Sequence, residues 1–122
     1  AAKYKLDGLC GIVDVDGLQI DGRTAAVMPS EPLDKKFEAF NWHVECCDGH
    51  DVTAIAAALE NAKAARGKPT VIIARTVKGK GVSFMENNKE WHGNDPDKEQ
   101  YEKAAAELDA LVAAAEEAAR YE

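Results

Sequence analysis

The order of apolar and polar positions divides this chain into alternating extended and helical segments. Leu9-Cys10-Gly11-Ile12-Val13 is a short apolar run, and residues 9–14 read as a buried strand. Trp42-His43-Val44-Glu45-Cys46-Cys47 alternates enough for a second strand. Thr70-Val71-Ile72-Ile73-Ala74 is β-branched and does not alternate, the pattern of a strand buried on both faces. Met28-Pro29-Ser30-Glu31-Pro32 breaks the chain before a short helix to about Phe40, which Ser30 or Asp34 could cap. Asp51 suits the N-cap of a longer helix with Val52, Ile55, Ala56, Leu59 and Ala62 on its apolar face. Gly67 and Pro69 stop that helix near Arg66. After the third strand comes a glycine-containing loop from Val77 to about Pro96, then a helix over 97–120. Its stripe is Tyr101, Ala105, Leu108, Val112, Ala115 and Ala119, an alanine-rich face suited to close packing.

Strand, helix, strand, helix, strand, helix predicts an α/β fold with a parallel sheet flanked by helices. A three-stranded sheet has two edges and needs neighbours, so the chain reads as part of a larger unit that associates as a homodimer or larger assembly.

Composition narrows the function. The 122 residues suffice for one domain with a modest core. Lys and Arg number 15 against 22 Asp and Glu, a formal charge of −7, which argues against nucleic-acid binding because no basic stripe meets a phosphate backbone. The one basic cluster, Lys78-Gly79-Lys80, suits a local anion site better. Cys10, Cys46 and Cys47 lack zinc spacing and read as buried free thiols in a reducing compartment. No apolar run approaches the ~20 residues of a membrane span and no secretory leader is seen, so the expectation is a soluble, cytoplasmic protein.

Three segments carry candidate chemistry, and each follows a strand or ends a loop that does. Asp14-Val15-Asp16-Gly17-Leu18-Gln19-Ile20-Asp21-Gly22 follows the first strand, where α/β folds place ligands. Its carboxylates are hard oxygen ligands of the kind Mg²⁺ or Ca²⁺ takes, and its glycines permit positive φ; a polar turn has the same composition. Thr76-Val77-Lys78-Gly79-Lys80-Gly81 follows the third strand, and its amides could face a ligand or simply form a solvated turn. Trp91-His92-Gly93 closes the loop, and the imidazole of His92 suits acid–base work or substrate hydrogen bonding. His43 reads as packed against its strand neighbours and His50 as a turn residue.

From about Lys5 to Glu99 the chain resembles transketolase, and more narrowly the amino-terminal subunit of two-subunit bacterial transketolases. The resemblance rests on IVDVDGLQIDG, on FNWHVECCDGHD and on the long run GKPTVIIARTVKGKGVSFMENNKEWHG. It implies thiamine diphosphate held through Mg²⁺ or Ca²⁺, and transfer of a two-carbon ketol unit between sugar phosphates. The family's cofactor motif opens with Gly-Asp-Gly and closes with an asparagine before glycine. Asp16 stands where that metal-binding asparagine is expected, and Leu18 would offer its backbone carbonyl to the same ion. Ile20 matches the apolar residue that packs on the cofactor, and His92 the loop histidine that contacts the diphosphate and the substrate. The metal ligands so implied are Asp16 and Leu18, with Ile20 and His92 completing the cofactor contacts and His92 the catalytic role.

The resemblance makes 1–96 the carboxyl-terminal half of the diphosphate-binding domain and 97–122 an alanine-rich helix packing on it. The sequence holds no Gly-Asp-Gly, and that half of the site, with the pyrimidine-binding subunit, would have to come from partners. The isolated chain is accordingly expected to be inactive, since ylide formation needs the pyrimidine held and protonated. The alternative expectation is a non-catalytic module that folds and associates without cofactor.

Overall fold

A computed structural model describes residues 1–120 and groups them into two compact units. The first comprises 1–17 and 23–76, the second 18–22 and 77 onward.

In the first unit, a 3-10 turn at Ala2–Tyr4 precedes strand β1, Cys10–Val15. Strands β2 (Leu18–Gln19) and β3 (Gly22–Arg23) form a small two-stranded sheet, residues 18–22 being counted with the second unit; a one-turn helix α1 (Thr24–Val27) of the first unit follows where the sequence predicts only loop. Helix α2 (Leu33–Ala39), strand β4 (His43–Asp48), helix α3 (Val52–Ala64) and strand β5 (Thr70–Arg75) complete the α/β order. The sheet is all parallel in the order β1-β5-β4, with Cys10 and His43 both opposite Thr70 and Val15 and Asp48 both opposite Arg75. Central β5 is buried from Thr70 to Ala74, as its unbroken β-branched run predicts. Helices α2 and α3 pack against β4 and β5.

Three local expectations are corrected. Strand β1 is an edge strand, not a buried one: Cys10, Ile12 and Asp14 point outward, and Ile12 is 61% exposed. The α3 face that packs inward is Ile55, Ala58 and Ala62, whereas Val52 is 80% exposed and Leu59 and Ala56 also face out. The buried stripe is thus centred on the alanines at 58 and 62. The cap of α2 is neither Ser30 nor Asp34; Pro32 holds that position, and the Glu31 carboxylate accepts the Leu33 N–H at 2.8 Å. Asp51 caps α3 as expected, accepting from Thr53 N–H at 2.8 Å and Ala54 N–H at 3.2 Å.

The thiols are free but not buried: Cys10 and Cys46 are exposed and Cys47 half-buried, because they lie on outward or partly open faces of β1 and β4. Partial burial, and then the Asp34 carboxylate, push the Cys46 thiol up, which disfavours the thiolate that a nucleophile needs. His43 sets its Nε2 2.8 Å from Glu45 Oε1 on the same face of β4. His50 sits in the turn after β4, its N–H donating to Asp48 Oδ1 at 2.8 Å.

The second unit holds the loop after β5 and helix α4, Lys98–Ala119. The loop is not featureless; Lys89–His92 forms a 3-10 turn capped by the Asn88 side chain. A capping box starts α4: Asp97 Oδ1 accepts Gln100 N–H at 2.8 Å, and Gln100 Oε1 accepts Asp97 N–H at 2.9 Å. Val82 is buried, whereas Tyr101, Leu111 and Val112 of α4 stay exposed. Residues 121 and 122, the end of the expected 97–122 segment, lie outside the described residues.

Candidate functional site

Val15, Asp48 and Arg75 end the three parallel strands in register, so the segments that follow them leave from one edge of the sheet. That edge is where open α/β sheets place ligands. Backbone bonds tie it together: Thr76 N–H donates to Val15 C=O at 3.2 Å and Gly49 N–H to Arg75 C=O at 2.8 Å. Thr76 also donates its hydroxyl to Asp14 Oδ1, and Arg75 pairs with Glu31. The bond from Arg75, and then the one from Leu33 N–H, hold the Glu31 carboxyl below the usual carboxylate range.

Asp16 and Gly17 follow β1 directly, both half-buried. Gly17 has φ 73°, a left-handed conformation that side chains disfavour, and its carbonyl accepts Thr24 N–H at 3.0 Å. The chain turns there and enters β2 with Leu18. Asp16 and the Leu18 carbonyl are hard oxygen donors of the type Mg²⁺ and Ca²⁺ select, two residues apart. Asp14, Asp16 and Asp21 do not form a metal cage: among the described residues, no three His, Cys, Asp or Glu side chains gather in a way that could hold an ion. Asp14 is engaged by Thr76, and Asp21 is exposed. Asp16 therefore has the chemistry of a hard-cation ligand but stands outside any cluster of such side chains among the described residues.

Within the second unit, β2 packs on the 3-10 turn Lys89–His92, which brings Leu18 and the segment bearing His92 together. Ile20 follows β2 and is 64% exposed; His92 is exposed as well. Trp91 is half-buried, and its indole N–H donates to the Phe84 carbonyl at 3.1 Å.

Of the two readings open for the glycine loop, its hydrogen bonds favour the turn over the anion site. Lys80 N–H donates to Val77 C=O at 3.2 Å, Gly81 N–H to Glu86 Oε1 at 2.9 Å, and Val82 N–H to Gly79 C=O at 3.1 Å. These amides satisfy the loop itself, and the Glu86 carboxylate beside them repels anions. Gly79 has φ 71°, and a β-carbon there would come 2.6 Å from the Met85 backbone, so only glycine fits. The Lys78-Gly79-Lys80-Gly81 pattern therefore encodes a tight turn.

The contacts that sequence reasoning missed are non-local. Ser83 meets Glu107, Phe84 lies under Lys103, and Thr76 meets Asp14. Separations of 24 residues between Ser83 and Glu107, and 62 between Thr76 and Asp14, leave no periodic signal in the chain.

The family described as transketolase, thiamine diphosphate binding domain, matches residues 1–110. A 6-deoxy-6-sulfo-D-fructose transketolase subunit from a Clostridium species is 44% identical over 109 residues, covering 89% of this chain and 40% of that protein. An apulose-4-phosphate transketolase subunit from Actinobacillus succinogenes is 44% identical over 108 residues, covering 88% of this chain and 39% of that protein. The crystal structure of transketolase from Campylobacter jejuni superposes with a TM-score of 0.79 at 35% identity, over 85% of this chain and 16% of that one. The chain thus spans about two fifths of the length of the subunit-type relatives it matches.

Proposed function

This chain belongs to the transketolase family, within its thiamine diphosphate-binding domain, and from that membership we propose that its residues form one part of the cofactor site. In this reading, residues 1–96 are the carboxyl-terminal half of the diphosphate-binding domain, followed by α4, Lys98–Ala119. Asp16 and the Leu18 carbonyl would hold a divalent ion, Mg²⁺ or Ca²⁺, for the cofactor. Ile20 would pack on the cofactor, and His92 would contact its diphosphate and the substrate. The reaction is transfer of a two-carbon ketol unit between sugar phosphates. Thiamine diphosphate supplies the carbanion chemistry when bound. The chain's own residues hold the metal, wall the site, and offer an imidazole that can give or take a proton or hydrogen-bond a sugar hydroxyl.

One observation carries this reading: β1 ends at the ligand edge of a parallel sheet with Asp16 next in the chain, and within the second unit the strand that begins at Leu18 packs on the segment bearing His92. The relatives named as subunits support a partner chain. So do exposed apolar side chains such as Ile12, Ile20 and Val112, which suit burial against further protein surface, a second copy included. No described helix is long and apolar enough to cross a membrane. The chain spans about two fifths of the subunit-type relatives, so the proposal concerns the part of the site that these residues carry.

Calorimetric titration with thiamine diphosphate and Mg²⁺ tests the proposal, first on the chain alone and then with a recombinant piece carrying the complementary half. Binding only in the mixture, lost in Asp16→Ala, is the expected result. Tight binding by the chain alone would show that these residues suffice for the cofactor. Absence of binding in both arms would favour a non-catalytic association module, the reading that the carboxylate at position 16 also suits.

A further inference from the structure

The segment bearing His92 is held in place by a helix that follows it in the chain. Trp91 donates its indole N–H to the Phe84 carbonyl, and Asn88 Nδ2 donates to the same oxygen at 3.4 Å. The Phe84 and Trp91 rings meet edge to face with centroids 5.5 Å apart, a favourable quadrupole arrangement. Phe84 in turn receives the Lys103 ammonium 5.1 Å from its ring centroid. One residue earlier, Ser83 gives Glu107 two hydrogen bonds, from its N–H at 2.6 Å and from its hydroxyl at 2.7 Å. Lys103 and Glu107 lie one turn apart on α4, with Nζ 3.9 Å from Oε1. All of these residues belong to the second unit.

We infer that Lys103 and Glu107 clamp Ser83 and Phe84 from α4, and thereby set the position of Trp91 and of His92 beside it. The functional meaning rests on the role proposed above for His92; the clamp itself rests on the contacts. A carboxylate that accepts a backbone amide and a hydroxyl together fixes both position and orientation, and hydrogen bonds to a charged acceptor are the strong ones. An exposed imidazole on a loop reacts productively only when its segment is held to within a fraction of an ångström. Lys103 and Glu107 touch no reacting atom; they are positioning residues.

Hydrogen exchange of the Trp91 indole proton reads the clamp directly, because that proton makes the Phe84 bond. The two indole resonances of the chain are assigned with Trp91→Phe. Glu107→Ala should speed Trp91 indole exchange about tenfold, the order expected for losing a charge-assisted contact. Glu107→Gln, which keeps an acceptor for Ser83, should restore most of the protection, and Lys103→Met should give a smaller increase. The Ile72 and Ile73 amides and the Trp42 indole should not change. Unchanged Trp91 exchange in Glu107→Ala would overturn the clamp. Faster exchange at Ile72 and Ile73 to the same degree would also overturn it, in favour of a general stabilising role. In the reconstituted assembly, undiminished turnover by His92→Ala would end the functional reading yet leave the exchange result standing, so the two failures are distinct.

Discussion

Thr76 donates its hydroxyl to the Asp14 carboxylate, joining the ends of β5 and β1 two residues before Asp16. The bond crosses from the central strand to an edge strand at the point where β1 stops pairing, since Thr76 N–H already takes the Val15 carbonyl. It thus stiffens the root of the loop that carries Asp16 and Leu18. Thr76→Val keeps the shape and removes the donor. Stability should fall by about 1 kcal/mol in urea denaturation, at the low end for a hydrogen bond to a charged group because the pair is exposed. Metal affinity of the reconstituted site should fall severalfold by calorimetry. An unchanged affinity would mean that the loop root needs no such brace.

Asp16 is a carboxylate where the resemblance to the family leads one to expect an amide. A carboxylate adds charge to a hard-cation site and also repels the diphosphate that must share the ion. Asp16→Asn should therefore weaken Mg²⁺ binding, by about tenfold, while improving binding of the diphosphate at saturating metal. Calorimetric titration in each order separates the two. Tighter metal binding in the asparagine variant would contradict the assigned ligand role.

Glu31 and Arg75 form a pair that spans the chain from the breaker before α2 to the end of β5. The folded state lowers the Glu31 carboxyl below its ordinary value of 4.5, first through the Arg75 hydrogen bond and then through Leu33 N–H. A lowered folded value means stability that is present above the ordinary value and lost as pH falls through the lowered one. Because both side chains are about half exposed, the contribution should stay under ~1 kcal/mol. Glu31→Gln should be less stable than the parent at pH 7 and equal to it near pH 2, as measured by thermal unfolding. A gap that persists at low pH would show that the pair's charge is not its source.

Asp97 starts α4 with a reciprocal pair of hydrogen bonds to Gln100. Asp97→Ala should cost the helix about 1 kcal/mol and fray its first turn, seen as lost ellipticity at 222 nm and a lower unfolding midpoint. Since Lys103 lies in the following turns, protection of the Trp91 indole should fall as well.

Local chemistry made much of the fold legible. The unbroken β-branched run 70–74 predicts the central strand, Asp51 predicts the start of α3, and Asp97 with its following helical stripe predicts α4. Each depends on side chains within a few residues of one another. The misses share another cause. Ile12 belongs to an apolar run but lies on an edge strand, and Val52 belongs to an apolar helix face but points outward. Apolar periodicity marks a face that can be buried; the neighbours decide which residues are.

By itself, the sequence determined the kind and order of the elements and the segments that bear candidate chemistry, because capping, chain breaking and β-branching act over short range. It also carried the family through uninterrupted runs of residues, IVDVDGLQIDG and GKPTVIIARTVKGKGVSFMENNKEWHG among them. Only the tertiary structure decided that β5 lies between β1 and β4, that Leu18 meets the Lys89–His92 turn, and that Glu107 reaches Ser83. These contacts join residues far apart in the chain. Their free energy arises only when packing brings the partners within hydrogen-bonding or van der Waals distance, and no local pattern of residues records it.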